Sequence, residues 1–317
     1  MNPHHGGRTL SEFIDAGKRP RNQIATLSGL TNTYIRNLEN GDIKNVPRER
    51  LIALGVALNL DLSEIEMLLA AFDRAGLSPG DASAFIETAQ NAALSEAVLP
   101  VRDLFAYELI LLSLEMVPGR QVIVSDRPTI SLLAPGHRSH TDREVLHRHP
   151  MYKELIEVVG RARRDNFHKL AASHSVEHYI CRQCLEDYLN AEVDAAERTW
   201  RARHVKALLD AVKELPSVRL YLTDTCVNLN FTLKFADAGD GHDKLSYSAR
   251  APHDLNRGKR GRLIGFITEN PALCQCFKDE LARVAGTVIA PLTDHNALID
   301  YLETLLPGQG VTHGDFT

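Results

Sequence analysis

Between positions 32 and 40 the chain places amides, a hydroxyl and a guanidinium at helical spacing. At about 100° per residue, Ile35 and Leu38 fall on one face of a helix and the polar residues on the other. The polar residues are Asn32, Thr33, Arg36, Asn37 and Asn40. Groups of this kind hydrogen-bond to base edges and phosphates in a DNA groove. The polar face therefore predicts a helix that contacts DNA.

Four histidines and cysteines follow the spacing His-x3-His-x2-Cys-x2-Cys: His174, His178, Cys181 and Cys184. If residues 176–189 form one helix, as their pattern predicts, these groups spread over about 15 Å of helix axis. One zinc ion could not reach all four, because its ligands lie about 2.0–2.3 Å away. Two or three of them with a distant Cys226, Cys274 or Cys276 could still bind a metal. The alternatives are a thiol redox sensor, or apolar thiols packed in a helix interface.

A loop at residues 256–262 carries four cations between two predicted strands: Arg257, Lys259, Arg260 and Arg262. With two flexible glycines, they predict a site for a phosphate or carboxylate effector, the alternative being a solvated hairpin loop. A second basic group, Arg161, Arg163, Arg164 and Lys169, is predicted to form a solvated helix face.

Local signals around the first group predict a helix-turn-helix unit. A short helix over residues 22–28 is followed by a turn at Gly29. The second helix begins after Thr31, whose hydroxyl can cap the first turn, and ends at Gly41, which can adopt the left-handed conformation. Ala25 is small where the two helices must cross.

Three further helices surround this unit. They are predicted over residues 9–16, 47–59 and 62–72, with Ser63 as the candidate cap of the last. Together the five helices predict a mainly α domain over residues 1–77.

The segment of residues 9–72 resembles the Cro/phage-repressor class of helix-turn-helix regulators, often called the XRE family. The resemblance rests on Ile24-Ala25, Gly29, Tyr34-Ile35, Leu38-Glu39-Asn40-Gly41 and the Leu-Gly-Val-Ala-Leu run at 54–58. It implies base contacts from Asn32, Thr33, Arg36 and Asn37, and phosphate contacts from Arg21 and Asn40. The chain departs from the family at Arg21-Asn22, where Gln followed by an acidic residue is common.

The composition of the 317 residues is ordinary, with 24% charged residues and a net charge of −5. This balance argues against a protein that coats DNA by bulk charge. Neither a secretory signal nor an apolar run long enough to span a bilayer is evident. Five cysteines without a disulfide framework indicate reduced thiols. The expectation is a cytoplasmic protein without a membrane partner.

Beyond a glycine and proline break at residues 76–80, residues 78–118 are predicted to form linker or dimerisation helices. The apolar helix at 101–116 is either a core helix or part of a dimer interface. Residues 119–317 are predicted to form an α/β or α+β domain. Its strands are expected at residues 121–125, 218–223, 231–235, 244–249, 263–268 and 287–290, and its helices at 152–172, 176–189, 191–215, 272–285 and 296–305.

Residues 218–285 weakly resemble the phospholipase-D-like fold, which some regulators use as a ligand-binding module without catalysis. His242-Asp243-Lys244 matches the His-x-Lys part of that family's signature, but Ala249 stands where the signature has Asp. No Walker A, GxGxxG, GxSxG or HExxH motif occurs either. The expectation is therefore a non-enzyme without a cofactor.

Together these features predict a homodimeric transcriptional regulator that binds a double-stranded DNA operator and senses a small effector, for which an anion is the first candidate. Dimerisation is expected because one recognition helix buries too little surface to be specific. Two alternatives remain open. The second domain could serve only for oligomerisation, or the chain could be an enzyme, or a metal- or thiol-dependent redox sensor, fused to a DNA-binding domain.

Overall fold

The computed structural model describes residues 4–17, 19–43, 45–93, 99–101, 104–132, 149–193, 195–227, 229–237, 241–250 and 263–306. In these ranges the helices are α1 (His4–Gly17), α2 (Arg21–Ser28), α3 (Asn32–Glu39), α4 (Arg48–Ala57), α5 (Leu62–Ala71), α6 (Ala82–Ala93), α7 (Leu104–Met116), α8 (Tyr152–Ser173), α9 (Arg182–Asn190), α10 (Ala195–Glu214), α11 (Pro271–Ala285) and α12 (His295–Thr304). The strands are β1 (Leu99–Val101), β2 (Gln121–Ser125), β3 (Val176–Cys181), β4 (Val218–Thr223), β5 (Asn230–Lys234), β6 (Lys244–Arg250) and β7 (Leu263–Thr268). The predicted fold class, a mainly α N-terminal part followed by an α/β part, is confirmed.

The predicted signals of the helix-turn-helix are present in α2 and α3. The Thr31 hydroxyl accepts a hydrogen bond from the Tyr34 amide at 3.1 Å. Gly29 ends α2 with a φ of 67°, and Gly41 follows α3 with a φ of 77°. Glycine adopts both conformations without the steric cost that a Cβ would add.

The predicted cap of the fifth helix is wrong by two positions. Asp61, not Ser63, caps α5: its carboxylate accepts from the Glu64 amide, and the Glu64 carboxylate accepts from the Asp61 amide, both at 2.9 Å. This reciprocal pair satisfies two amides of the first turn at once. Ser63 lies inside the helix, where its hydroxyl cannot make the same contact.

One hydrophobic core joins the five N-terminal helices to α6, α7 and α8. It contains Leu10 of α1 and Ile35 of α3 together with Phe105 and Leu109 of α7 and Leu155 of α8. α6 contacts α2, α4 and α7, and α7 packs along α8. Of the two alternatives for the apolar helix at residues 101–116, the structure shows the core helix.

The second part of the chain is built on a mixed sheet with the strand order β1-β7-β6-β5-β2-β3-β4. β2, β3 and β4 are parallel, and the remaining neighbouring strands pair antiparallel. Side chains from α8, α10 and α12 form a core with one face of β2, β3 and β4. Residues of α11 pack on the opposite face. No helix in the described part of the chain is long and apolar enough to cross a membrane.

Two predicted elements of this domain are wrong. Residues 176–189 form a strand followed by a helix, because the run from Val176 to Cys181 is buried along its whole length between two parallel strands. Such a strand needs no polar alternation, so its sequence can be mistaken for a helix. In the predicted strand at residues 287–290, Val288 makes an isolated bridge to Thr223. The chain then enters a 3₁₀ turn at Ala290–Thr293.

The predicted solvated basic face on α8 is wrong for Arg163. Its side chain is only 2% exposed and lies between Glu108 and Glu115 of α7. Arg161, two residues earlier, is exposed as predicted. Helical geometry explains the difference, because residues two apart point to different sides of a helix.

Candidate functional site

The five polar residues predicted on the second helix share one accessible face of α3: Asn32, Thr33, Arg36, Asn37 and Asn40. Asn37 is half-buried and the other four are exposed. Ile35 and Leu38, on the opposite face, are fully buried in the core. Within the described residues, none of the five polar side chains has a hydrogen-bond or ion-pair partner. Their donors and acceptors are therefore available to an external molecule.

Glu39 at the end of α3 fixes this helix to two others. Its carboxylate accepts from the Arg21 guanidinium of α2 at 2.8 and 3.0 Å and from the Ser11 hydroxyl of α1 at 3.3 Å. The Glu39 side chain is 9% exposed, against 48% for Arg21. Hydrogen bonding to Glu39, and its charge, raise the pKa of Arg21. The phosphate contact assigned to Arg21 stays a prediction, and its charge is already partly balanced within the protein.

A close crossing of α1 and α3 holds the end of α3 from the other side. A Cβ added to Gly7 would lie 2.3 Å from the carbonyl oxygen of Glu39 and 2.7 Å from that of Leu38. Only glycine permits this contact between backbones. The sequence prediction began the first helix at Thr9 and missed the crossing, although the Gly6-Gly7 pair was a signal for it.

Arg50 of α4 adds a cation beside α3 that the sequence analysis did not single out. Its guanidinium lies over the Tyr34 ring, 4.7 Å from the ring centroid. Arg50 is exposed and Tyr34 is half-buried. Stacking on the ring orients the guanidinium while leaving its charge accessible.

The two histidines of the predicted metal-binding group, His174 and His178, lie apart from its two cysteines. His174 ends α8, and its Nε2 lies 3.3 Å from Asp237 Oδ2. His178 is buried within β3, with its Nε2 2.9 Å from Ser125 Oγ. Successive residues of a strand point to opposite faces, so His178 and Cys181, three positions apart, lie on different sides of the sheet. Burial, with a smaller effect of His204, lowers the pKa of His178 to about 3.

The two cysteines of that predicted group lie close to a third cysteine that is distant in sequence. The sulfur atoms of Cys181, Cys184 and Cys226 lie within 4.8 Å of one another. Cys226 was one of the distant partners considered for a metal site. Burial, followed by hydrogen bonding with the other two thiols, raises the pKa of Cys184. The remaining two candidates, Cys274 and Cys276, lie on α11 and outside this group.

A cavity of about 240 Å³ lies beyond the C-terminal end of α7. Lys234 of β5 and Lys244 of β6, which are register partners, both line it. Lys244 is paired with Glu269. Lys234 is 1% exposed, and its ammonium has no hydrogen-bond partner among the described residues. Burial lowers the pKa of Lys234 to about 8.

Two predictions for the second domain relate to this cavity in different ways. His242 and Lys244, which carry the weak resemblance to the phospholipase-D-like fold, both line it. The cations predicted to bind an anionic effector lie outside the described residues: Arg257, Lys259, Arg260 and Arg262. The candidate anion site among the described residues is therefore Lys234, which lies beside Asp237 and the Lys244–Glu269 pair. The sequence analysis missed it because Lys234 and Lys244 are ten positions apart on different strands.

No protein-family model matches the chain, and no curated protein matches it. A solved structure with a partly similar fold is that of TrmBL2, described as an archaeal chromatin protein that shows a novel mode of DNA binding. The alignment has 11% sequence identity and a TM-score of 0.34, and it covers 61% of this chain and 54% of that chain. It thus spans about half the length of TrmBL2. A likeness this distant has no functional weight, so the function is argued from the residues of this chain.

Proposed function

We propose that this protein is a sequence-specific DNA-binding transcriptional regulator of the Cro/phage-repressor (XRE) type. The observation that carries the proposal is the unpartnered polar face of α3. That face stands on a helix held by Glu39, the Thr31 cap and the close crossing at Gly7. A rigid helix with free amides and a guanidinium suits insertion into the major groove.

In this proposal the contacts divide into two kinds. Asn32, Thr33, Arg36 and Asn37 read base edges, because amides and guanidinium groups can pair in bidentate fashion with purines. Arg21 and Asn40 contact phosphates and orient the protein without reading sequence. Arg50, stacked on Tyr34, is a further cation beside the docked helix.

The test begins with selection of the preferred operator from random DNA by the full chain. Arg36→Ala and Asn37→Ala should each weaken binding to that operator by about 1–3 kcal/mol and relax the preference at one or two base pairs. Arg219→Ala, at an exposed arginine on β4, is the charge-matched control and should bind normally. Unchanged preference in both α3 variants would exclude α3 as the recognition helix.

We also propose that the protein acts as a homodimer on an inverted-repeat site. Two half-sites double the number of base contacts, which a single helix of eight residues cannot provide alone. Because most side chains of α7 are buried within its own chain, we place the interface on other surfaces. Light scattering on the full chain, with and without operator, should give the mass of a dimer. A monomer in both conditions would contradict this part of the proposal.

The cavity beside α7 is proposed as the effector site, where a small anion binds without turnover. A buried ammonium without a hydrogen-bond partner is costly, and an anionic ligand would add to the counter-charge that Glu115 and Asp237 supply. The cavity is lined by Val117 and Pro118, directly after α7, and α7 shares its core with the N-terminal helices. A ligand that prefers one arrangement of α7 would therefore shift the position of α3.

Thermal unfolding with inorganic phosphate, sulfate and acetate, and then with phosphorylated and carboxylated metabolites, tests the effector site. A ligand at a hundredfold excess over its Kd should stabilise the native state by about 2.7 kcal/mol. Lys234→Met should abolish the shift. Lys278→Met, which removes a lysine paired with Asp243 outside the cavity lining, should retain it. Stabilisation without any change in operator affinity would exclude coupling, and consumption of a ligand would identify an enzyme.

A further inference from the structure

Three cysteines converge at the carboxyl ends of two neighbouring parallel strands. Cys181 is the last residue of β3 and precedes the first turn of α9, which contains Cys184. Cys226 lies in the loop after β4, three residues beyond Thr223, the register partner of Cys181. The fold thus brings together residues more than forty positions apart in sequence.

The spacing of the sulfur atoms matches the space around one thiolate-bound metal ion. Zinc–sulfur bonds of about 2.3 Å in a tetrahedron place the sulfurs about 3.8 Å apart. Here all three lie within 4.8 Å of one another, and the Cys184 and Cys226 sulfurs are 3.4 Å apart.

The surroundings suit a bound cation with one open position. Cys181 is buried, Cys184 is half-buried and Cys226 is exposed. One side of the group is therefore held within the protein and the other is accessible to solvent. Cys181 is the N-cap of α9 and Cys184 lies in its first turn, a position that favours the negative charge of thiolates. Within the described residues no fourth Cys, His or carboxylate belongs to the group. The fourth position would hold water or another exchangeable ligand.

We propose that Cys181, Cys184 and Cys226 together bind one thiophilic divalent cation of the zinc class as three thiolates. Binding releases the thiol protons to solvent and involves no change in oxidation state. Three convergent sulfurs favour a metal over a disulfide switch, because a Cys184–Cys226 disulfide would leave the buried Cys181 without a role. The site joins the β3–α9 turn to the loop after β4, and it is independent of both the α3 face and the lysine cavity.

The test uses the reduced full chain, stripped of metal and then equilibrated with zinc alone. One zinc per chain is expected in the wild type and in the matched control Cys276→Ser, whose thiol is exposed on α11. Cys184→Ser and Cys226→Ser should lose stoichiometric zinc while keeping the wild-type far-UV circular dichroism. With cadmium in place of zinc, the wild type should show thiolate charge-transfer absorption, and both variants should lose most of it.

Two results would overturn the site. One is substoichiometric zinc in the reduced wild type, whether or not a separate sample readily forms a Cys184–Cys226 disulfide on mild oxidation. The other is zinc binding that survives in the folded double variant Cys184→Ser/Cys226→Ser.

Discussion

Replacing Arg163 by Met should be among the most destabilising single changes that conserve approximate side-chain volume in this protein. The guanidinium of Arg163 connects α8 to α7, donating to Glu115 at 2.7 Å, to Ser131 at 2.7 Å and to Glu108 at 2.5 Å. All three charged side chains are at most 2% exposed. Burial raises the pKa of Glu115 despite this partner. Removing the cation leaves two carboxylates in the core without their ion-pair partner, although Ser131 still donates a hydrogen bond to Glu115.

The free energy of unfolding should fall by about 3–5 kcal/mol, the usual cost of breaking a buried ion pair by removing one partner. Total stabilities of domains are about 5–15 kcal/mol, so the change should be large in a urea titration followed by circular dichroism. The matched control is Arg161→Met on the same helix, where the side chain is exposed and the loss should stay within about 0.5 kcal/mol.

The pH dependence of the variant gives a second readout. Burial raises the folded-state pKa of Glu115 above its unfolded value, and loss of the Arg163 charge that opposes this shift should raise it further. At this site the folded variant then binds more protons than the unfolded chain, so its stability deficit relative to the wild type should shrink as the pH falls from 7 towards 5. A loss no larger than that of Arg161→Met, or a deficit that does not shrink on acidification, would refute the assigned role of this network.

Three further predictions concern other buried or local contacts. The pKa values of His178 and His204 are lowered to about 3 and about 4, chiefly by burial. Their contribution to the free energy of unfolding is therefore present above pH 6.5 and is lost on acidification. At pH 5 the loss should be about 2 kcal/mol per histidine, and urea titrations in which stability is equal at pH 7 and pH 5 would contradict it. Gly7→Ala should displace the end of α3 and weaken operator binding more than Gly80→Ala, because a Cβ on Gly80 meets no atom nearer than 3.6 Å. Asp61→Ala should cost about 1 kcal/mol of thermal stability by removing the cap of α5, whereas Ser63→Ala should change little.

The helix-turn-helix could be predicted because its signals are local. The Thr31 cap involves an amide three positions away, and Gly29 and Gly41 adopt left-handed conformations that few other residues tolerate. The apolar spacing of α3 likewise determines which side is buried. Each of these preferences operates within one or two helical turns, so the sequence alone specified the element and its polar face.

Other features depended on the tertiary structure because their partners are far apart along the chain. The run from Val176 to Cys181 is a strand because β2 and β4 enclose it on both sides, and no local pattern marks that burial. Arg163 looks like a surface residue until α7 supplies its two carboxylates.

The candidate ligand sites follow the same division. The sequence identified Cys181 and Cys184 by their spacing, but Cys226 joins them only because β3 and β4 are adjacent and parallel. Lys234 and Lys244 face one cavity only because β5 and β6 pair in one register. Caps and turns are determined by hydrogen bonds within a few residues, which the sequence encodes directly. Convergent sites are determined by strand order and register, which result from burying the whole apolar surface of the chain.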